Sequence, residues 1–195
     1  TTRVVTNKIF SLPEGIFTIA RLLQDAGYRN QRLAHDYYPE YLMENRGFVE
    51  LTGNVTSDNK QVAKLKAVNT AGRVHQAALD FIKRNRDRLF YLQLDYNLPD
   101  VNKYLERIGN SGFEQDGPGR YVNEDWDARE KGYGEMVGLM DDYLGELIAQ
   151  LRYLGIDNNT LVIFTSDNAP AGTRGMESFD RFNATGGLRG NKGKL

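Results

Sequence analysis

The chain contains no cysteine, which excludes disulfide bonds and leaves the redox compartment undetermined. It also lacks an excess of either charge: 25 basic against 26 acidic side chains give a net charge of −1. That balance argues against a broad cationic face, so neither nucleic acid nor an anionic membrane surface is an expected partner. No apolar run approaches the roughly 18 residues of a membrane span, no signal-peptide pattern follows Thr1, and no segment repeats. Histidine is scarce, with two in the chain. His35 stands beside Asp36, which could orient an imidazole, but a histidine among tyrosines more often serves packing or surface hydrogen bonding. His75 falls within a helical stretch with no ligand set around it, so solvent contact is its expected role.

What the chain does have is a junction near its end. Leu161-Val162-Ile163-Phe164-Thr165-Ser166-Asp167-Asn168-Ala169-Pro170 runs from an unbroken apolar stretch into an acid and an amide. Apolar residues without alternation predict a strand covered on both faces, as in a parallel sheet between helices. Ligands of such sheets collect beyond the carboxyl ends of the strands, which would put Asp167 and Asn168 at the mouth of a site. Both carry hard oxygen donors suited to Ca²⁺ or Mg²⁺, and such a cation could polarise a bound anionic ester. The same pair can also be read as a turn and nothing more, since Asp and Asn favour turns.

Upstream, Val137, Met140, Leu144, Leu147, Leu151 and Leu154 recur at helical steps, with Gly155 as the stop and Asp157-Asn158-Asn159 as a polar turn. Helix, turn and strand make half of an α/β unit, and the expected fold class is α/β with a mostly parallel sheet flanked by helices. Earlier, Ile19, Leu22, Leu23 and Ala26 share one face of a short helix, with Thr18 as N-cap and Gly27 as stop. From about Asp58 to Arg84 the positions Val62, Leu65, Val68, Val74, Ala78, Phe81 and Ile82 predict a long helix, and Leu89 to Leu94 predicts a strand after it. Tyr37 to Leu51 reads as an irregular segment with some strand. Length and a 40% hydrophobic share suffice for one core, so residues 1–195 are expected to form a single domain.

Several stretches in this order resemble one family. Met140-Asp141-Asp142, Leu151-Arg152-Tyr153-Leu154-Gly155 and Phe164-Thr165-Ser166-Asp167-Asn168 are similar to the sulfatases of the alkaline phosphatase superfamily. Thr18 to Tyr28 looks like the family's helix before its GKWHLG segment, and Ala34 to Leu42 looks like a later sulfatase segment. Phe182-Asn183-Ala184-Thr185-Gly186-Gly187-Leu188-Arg189-Gly190-Asn191-Lys192-Gly193 is similar to FNSTGPLRGYKG, whose lysine contacts the sulfate group. The resemblance implies an alkaline phosphatase-like fold, incomplete here, and a sulfuric ester hydrolase acting on a sulfated small molecule or glycan. It also implies Asp167 and Asn168 as ligands of Ca²⁺ or Mg²⁺, Lys192 as the substrate contact, and a secreted, periplasmic or lysosomal setting.

The match breaks in places. The family oxidises a cysteine or serine of C/S-x-P-x-R to the formylglycine nucleophile. Here Ser11-Leu12-Pro13 continues Glu14-Gly15 without the arginine, so no catalytic nucleophile is assigned. The GKWHLG segment is missing, the N-terminal strand with two metal-binding aspartates is absent, and a partial chain is expected. After the strand ending at Leu94, the family's Pro-His pair is replaced by Pro99-Asp100, whose charge would repel a sulfate oxyanion unless it were protonated or turned toward the metal.

The glycines near Lys192 also suggest a phosphate loop, but the Walker pattern fails because Leu188 stands where its first glycine belongs and Leu195 follows Lys194. Asp141 and Asp142 point about 100° apart on a helix, poor geometry for a shared metal, and a solvated face or a structural contact is expected instead. Three functions fit: sulfate-ester hydrolysis, a non-catalytic α/β metal- or ligand-binding module, and hydrolysis of phosphate esters by a relative in the same superfamily.

Overall fold

The computed structural model describes residues 17–34, 50–52, 70–100, 119–170, 182–190 and 192. The chain divides into two compact units, residues 1–97 and 98–195. His35, Asp36 and the first half of the expected long helix lie outside the described residues.

In the first unit, helix α1 spans Ile19–Asp25, and Thr18 caps it as expected, its side chain accepting from the backbone N–H of Arg21 at 3.1 Å. Gly27, at φ 88°, supplies the left-handed turn that ends it. The buried face is not the expected one. Ala20 is buried while Ile19 and Leu22 are exposed, and the buried Asn30 donates its side-chain N–H to the Ala20 carbonyl on that inward side. Strand β1 (Arg29–Ala34) follows directly, paired parallel with β2 (Glu50–Thr52) on one side and β3 (Phe90–Asp95) on the other. This is the parallel, helix-flanked sheet of the α/β class.

Helix α2 (Thr70–Asn85) packs on that sheet. Ala71, Val74, Ala78, Phe81 and Ile82 recur at helical spacing and are all buried. Phe81 meets Phe90 of β3 edge to face, with ring centroids 5.8 Å apart. Lys83 and Arg84 place positive charge in the last turn, against the negative end of the helix dipole. His75 corrects its expectation: it is buried, not solvent-facing, and its Nδ1 lies 3.0 Å from the Tyr96 hydroxyl. A histidine on the core side of a helix needs such a partner, because burying its ring nitrogens unbonded is costly.

In the second unit, a 3₁₀ turn at Gly119–Tyr121 leads to helix α3 (Ala128–Tyr153). Asp127 starts the helix with a capping box: it accepts from the N–H groups of Arg129 and Glu130 at 2.8 Å each, and Glu130 returns a bond from the Asp127 N–H at 2.7 Å. Gly155, at φ 69°, ends it in a Schellman arrangement, with Ile156 donating to Leu151 and Gly155 to Arg152, both at 3.0 Å. Of the expected stripe, Leu147 and Leu151 are buried but Val137 is exposed. The first half of the helix buries Gly132, Gly134, Met136 and Gly138 instead, and the two glycines Gly134 and Gly138 admit Tyr121, Trp126 and Arg120 of the preceding segment at close range.

The expected covered strand at residues 161–164 is corrected as well. No strand forms there, and Leu161 and Ile163 are 84% and 76% exposed. A parallel strand takes its hydrogen bonds from neighbours on its flanks, and among the described residues none pairs with this run. No helix among the described residues is long and apolar enough to cross a membrane.

Candidate functional site

At the end of the apolar run the chain bends. Ser166 donates its hydroxyl to the Asn168 carbonyl at 2.9 Å, and the Asn168 side-chain nitrogen donates to Asp167 Oδ1. The side-chain carboxylate and carboxamide are thereby coupled, as in the turn reading, and Asp167 is exposed. This leaves Oδ2 of Asp167 and Oδ1 of Asn168 as the oxygens a hard cation would take. Their donor chemistry fits Ca²⁺ or Mg²⁺, but they are a partial set. Among the described residues no group of three or more His, Cys, Asp or Glu side chains could hold a metal ion.

Lys192 is brought to the same segment through its backbone. Its N–H donates to the Pro170 carbonyl at 2.9 Å, three residues beyond Asp167 in sequence. The Lys192 ammonium is ion-paired with Asp100, 92 positions away, and both side chains remain more than one-third exposed. Lys192 thus joins two features read separately in the sequence: the acid-amide junction and the aspartate that follows Pro99.

The polypeptide before Lys192 is anchored by aromatic packing. Phe182 meets Trp126 edge to face at 5.0 Å and Tyr133 at 5.6 Å, while Tyr121 stacks on Trp126 at 4.9 Å. Each such contact contributes on the order of 1 kcal/mol beyond the area it buries. Burial of the Tyr133 ring raises its phenol pKa. Between Phe182 and Gly190 the chain makes two tight turns, with Gly186 donating to Asn183 at 2.7 Å and Leu188 to Thr185 at 3.0 Å.

A second cluster of charge was not legible from local spacing. Glu135, in the buried part of α3, accepts the Arg120 backbone N–H at 2.9 Å and its Nε at 3.3 Å, while the far side of the guanidinium meets Asp142 at 2.5 Å. Glycine suits position 119, because its φ of 48° is left-handed and a Cβ there would stand 2.2 Å from the Glu135 carboxylate and displace it. The hydrogen bond to Asp142 raises the Arg120 pKa, and reciprocally the Arg120 bond holds the Asp142 carboxyl below its ordinary range. Asp142 therefore makes a structural contact between the 3₁₀ turn and the helix, and Asp141 is exposed.

The sulfatase family model matches residues 1–194. Steryl-sulfatase of Rattus norvegicus is 32% identical over 96 residues, which cover 49% of this chain and 14% of that protein. N-acetylgalactosamine-6-sulfatase of Mus musculus is 49% identical over 39 residues, 20% of this chain and 8% of its own length. The chain therefore aligns with only a small part of the length of these curated relatives.

Proposed function

Because this chain belongs to the sulfatase family, we propose that it carries part of a site for sulfate-ester hydrolysis, within an alkaline phosphatase-like α/β fold. The reading assigns Asp167 and Asn168 to hold Ca²⁺ or Mg²⁺ and Lys192 to bind the sulfate of a sulfated small molecule or glycan. The bond from the Lys192 N–H to the Pro170 carbonyl carries it, because it ties the anion-binding lysine to the acid-amide segment by the backbone, independently of where the side chain points. The cation, when bound, supplies positive charge that withdraws electrons from the sulfate oxygens. Lys192 orients the ester by donating from its ammonium to a sulfate oxygen. Asp167 and Asn168 fix the oxygen donors beside it, and the Ser166 bond to the Asn168 carbonyl holds their turn.

Calorimetric titration with Ca²⁺ tests the assignment. The Asp167→Ala variant should lose binding by tenfold or more, since it removes the charged ligand, about 1.4 kcal/mol for each factor of ten. Unchanged affinity would remove Asp167 from the site. Turnover of a chromogenic aryl sulfate against the matching aryl phosphate then separates sulfate from phosphate chemistry, and binding without turnover of either identifies a ligand-binding module.

A further inference from the structure

The residue facing Lys192 has consequences for which anions the site accepts. Lys192 is held twice, through its N–H on Pro170 and through its ammonium on Asp100. One ammonium proton is directed at the carboxylate, which leaves two for a ligand. Any anion that takes them lies within roughly 5 Å of the Asp100 carboxylate. The lysine and aspartate together carry no net charge, so hydrogen bonding is retained while long-range attraction for anions is cancelled.

We propose that Asp100 is a specificity-determining residue of the Lys192 site, shifting its preference away from dianionic phosphate esters and toward monoanionic sulfate esters relative to a lysine without that carboxylate. The inference rests on the reading of Lys192 as the ester contact. Both side chains are partly exposed, 43% for Lys192 and 36% for Asp100, so a water-like dielectric applies between the ligand and the carboxylate. At about 5 Å in such surroundings, repulsion of one ligand charge by Asp100 weakens binding about fourfold. A sulfate monoester carries one such charge. An aryl phosphate carries close to two above its second pKa near 6, so its penalty is about sixteenfold. The carboxylate thus acts as a charge filter that offsets part of what the ammonium gains from each added negative charge, while leaving its hydrogen bonds to the ligand in place.

NMR titration of the 195-residue chain with phenyl sulfate and with phenyl phosphate, at pH 8, low salt and no added divalent cation, tests the filter without relying on Asp167 or on turnover. Asp100→Asn should tighten phenyl sulfate about fourfold and phenyl phosphate about sixteenfold, moving the ratio of the two about fourfold toward phosphate. Asp100→Glu, which keeps the charge, should retain the wild-type ratio. Equal gains for the two ligands, or a weaker complex with either, would overturn the filter while leaving Lys192 as the contact, provided Lys192→Ala abolishes binding. If neither ligand binds, or binding survives in Lys192→Ala, the contact itself is refuted and the filter with it.

Discussion

Phe90-Tyr91-Leu92-Gln93-Leu94-Asp95 and Leu161-Val162-Ile163-Phe164-Thr165-Ser166-Asp167 are alike on paper, each an apolar run closed by an aspartate, yet the first is strand β3 and the second is an exposed, irregular segment. The more apolar of the two is the one that forms no strand. β3 is registered along its whole length against β1, from Arg29 opposite Phe90 to Ala34 opposite Asp95, and α2 covers it with Phe81. Residues 161–166 have neither a ladder nor a cover among the described residues. Strand preference is mostly a preference for fitting a pleated, packed surface, so the neighbour decides the outcome and the composition only permits it.

The sharpest way to break this contrast is a pair of truncations at similar residues. Phe81→Ala, at a side chain 1% exposed, should cost about 3–5 kcal/mol in urea unfolding, whereas Phe164→Ala, at 62% exposed, should stay within about 0.5 kcal/mol. Comparable losses would mean that residues 161–166 are packed in solution. An intermediate effect is expected at the start of α3, the helix that leads into the exposed run. Asp127→Ala removes an acceptor of two N–H groups and should cost about 1 kcal/mol, followed through the fluorescence of Trp126, the chain's one tryptophan. A loss below that of Phe164→Ala would show that the cap does not sustain the second unit.

The smallest effect is one of pH. Burial, and then the nearby Asp95 charge, raise the Tyr91 phenol pKa above its ordinary value of about 10. The folded state then holds this proton more tightly than the unfolded chain. Its contribution to stability is complete below pH 10 or so and is lost as pH rises through the folded value. Tyr91→Phe should leave stability at pH 7 nearly unchanged and soften the alkaline decline. Tyr133, also raised by burial, adds a decline of the same sign, so Tyr91→Phe should remove only part of it. An identical alkaline slope in the variant would show that β3 is more open to water than described.

Much of the fold could be read before the structure. Thr18 and Gly27 bound α1, Gly155 ends α3, and the Phe81 stripe marks α2, because caps and helical spacing are local and survive whatever surrounds them. Arg29–Ala34 was not legible. A central strand that buries Asn30 and Gln31 has no apolar run to announce it, and Asn30 is accommodated by a bond to a helix carbonyl ten residues earlier. Arg32 completes the strand with an ion pair to Asp95, a contact that only the parallel register of β1 and β3 makes possible. At the candidate site, Asp167, Asn168 and Lys192 stood out individually. The meeting of Lys192 with Asp100 depends on chain return over 92 positions and leaves no trace in spacing.

The uncovered run carries a hazard for handling this protein. Leu161 to Thr165 joins strong strand preference to an absence of charge and proline, the composition of segments that stack with copies of themselves into fibrils. Its nearest charges in sequence are Asp157 and Asp167, which act as electrostatic gatekeepers at either end. By that composition Asp167 should protect solubility as well as offer oxygens, and neutralising it should promote self-association at high concentration. Calcium titrations of an Asp167 variant belong on freshly fractionated monomer, where lost binding is not confused with lost protein.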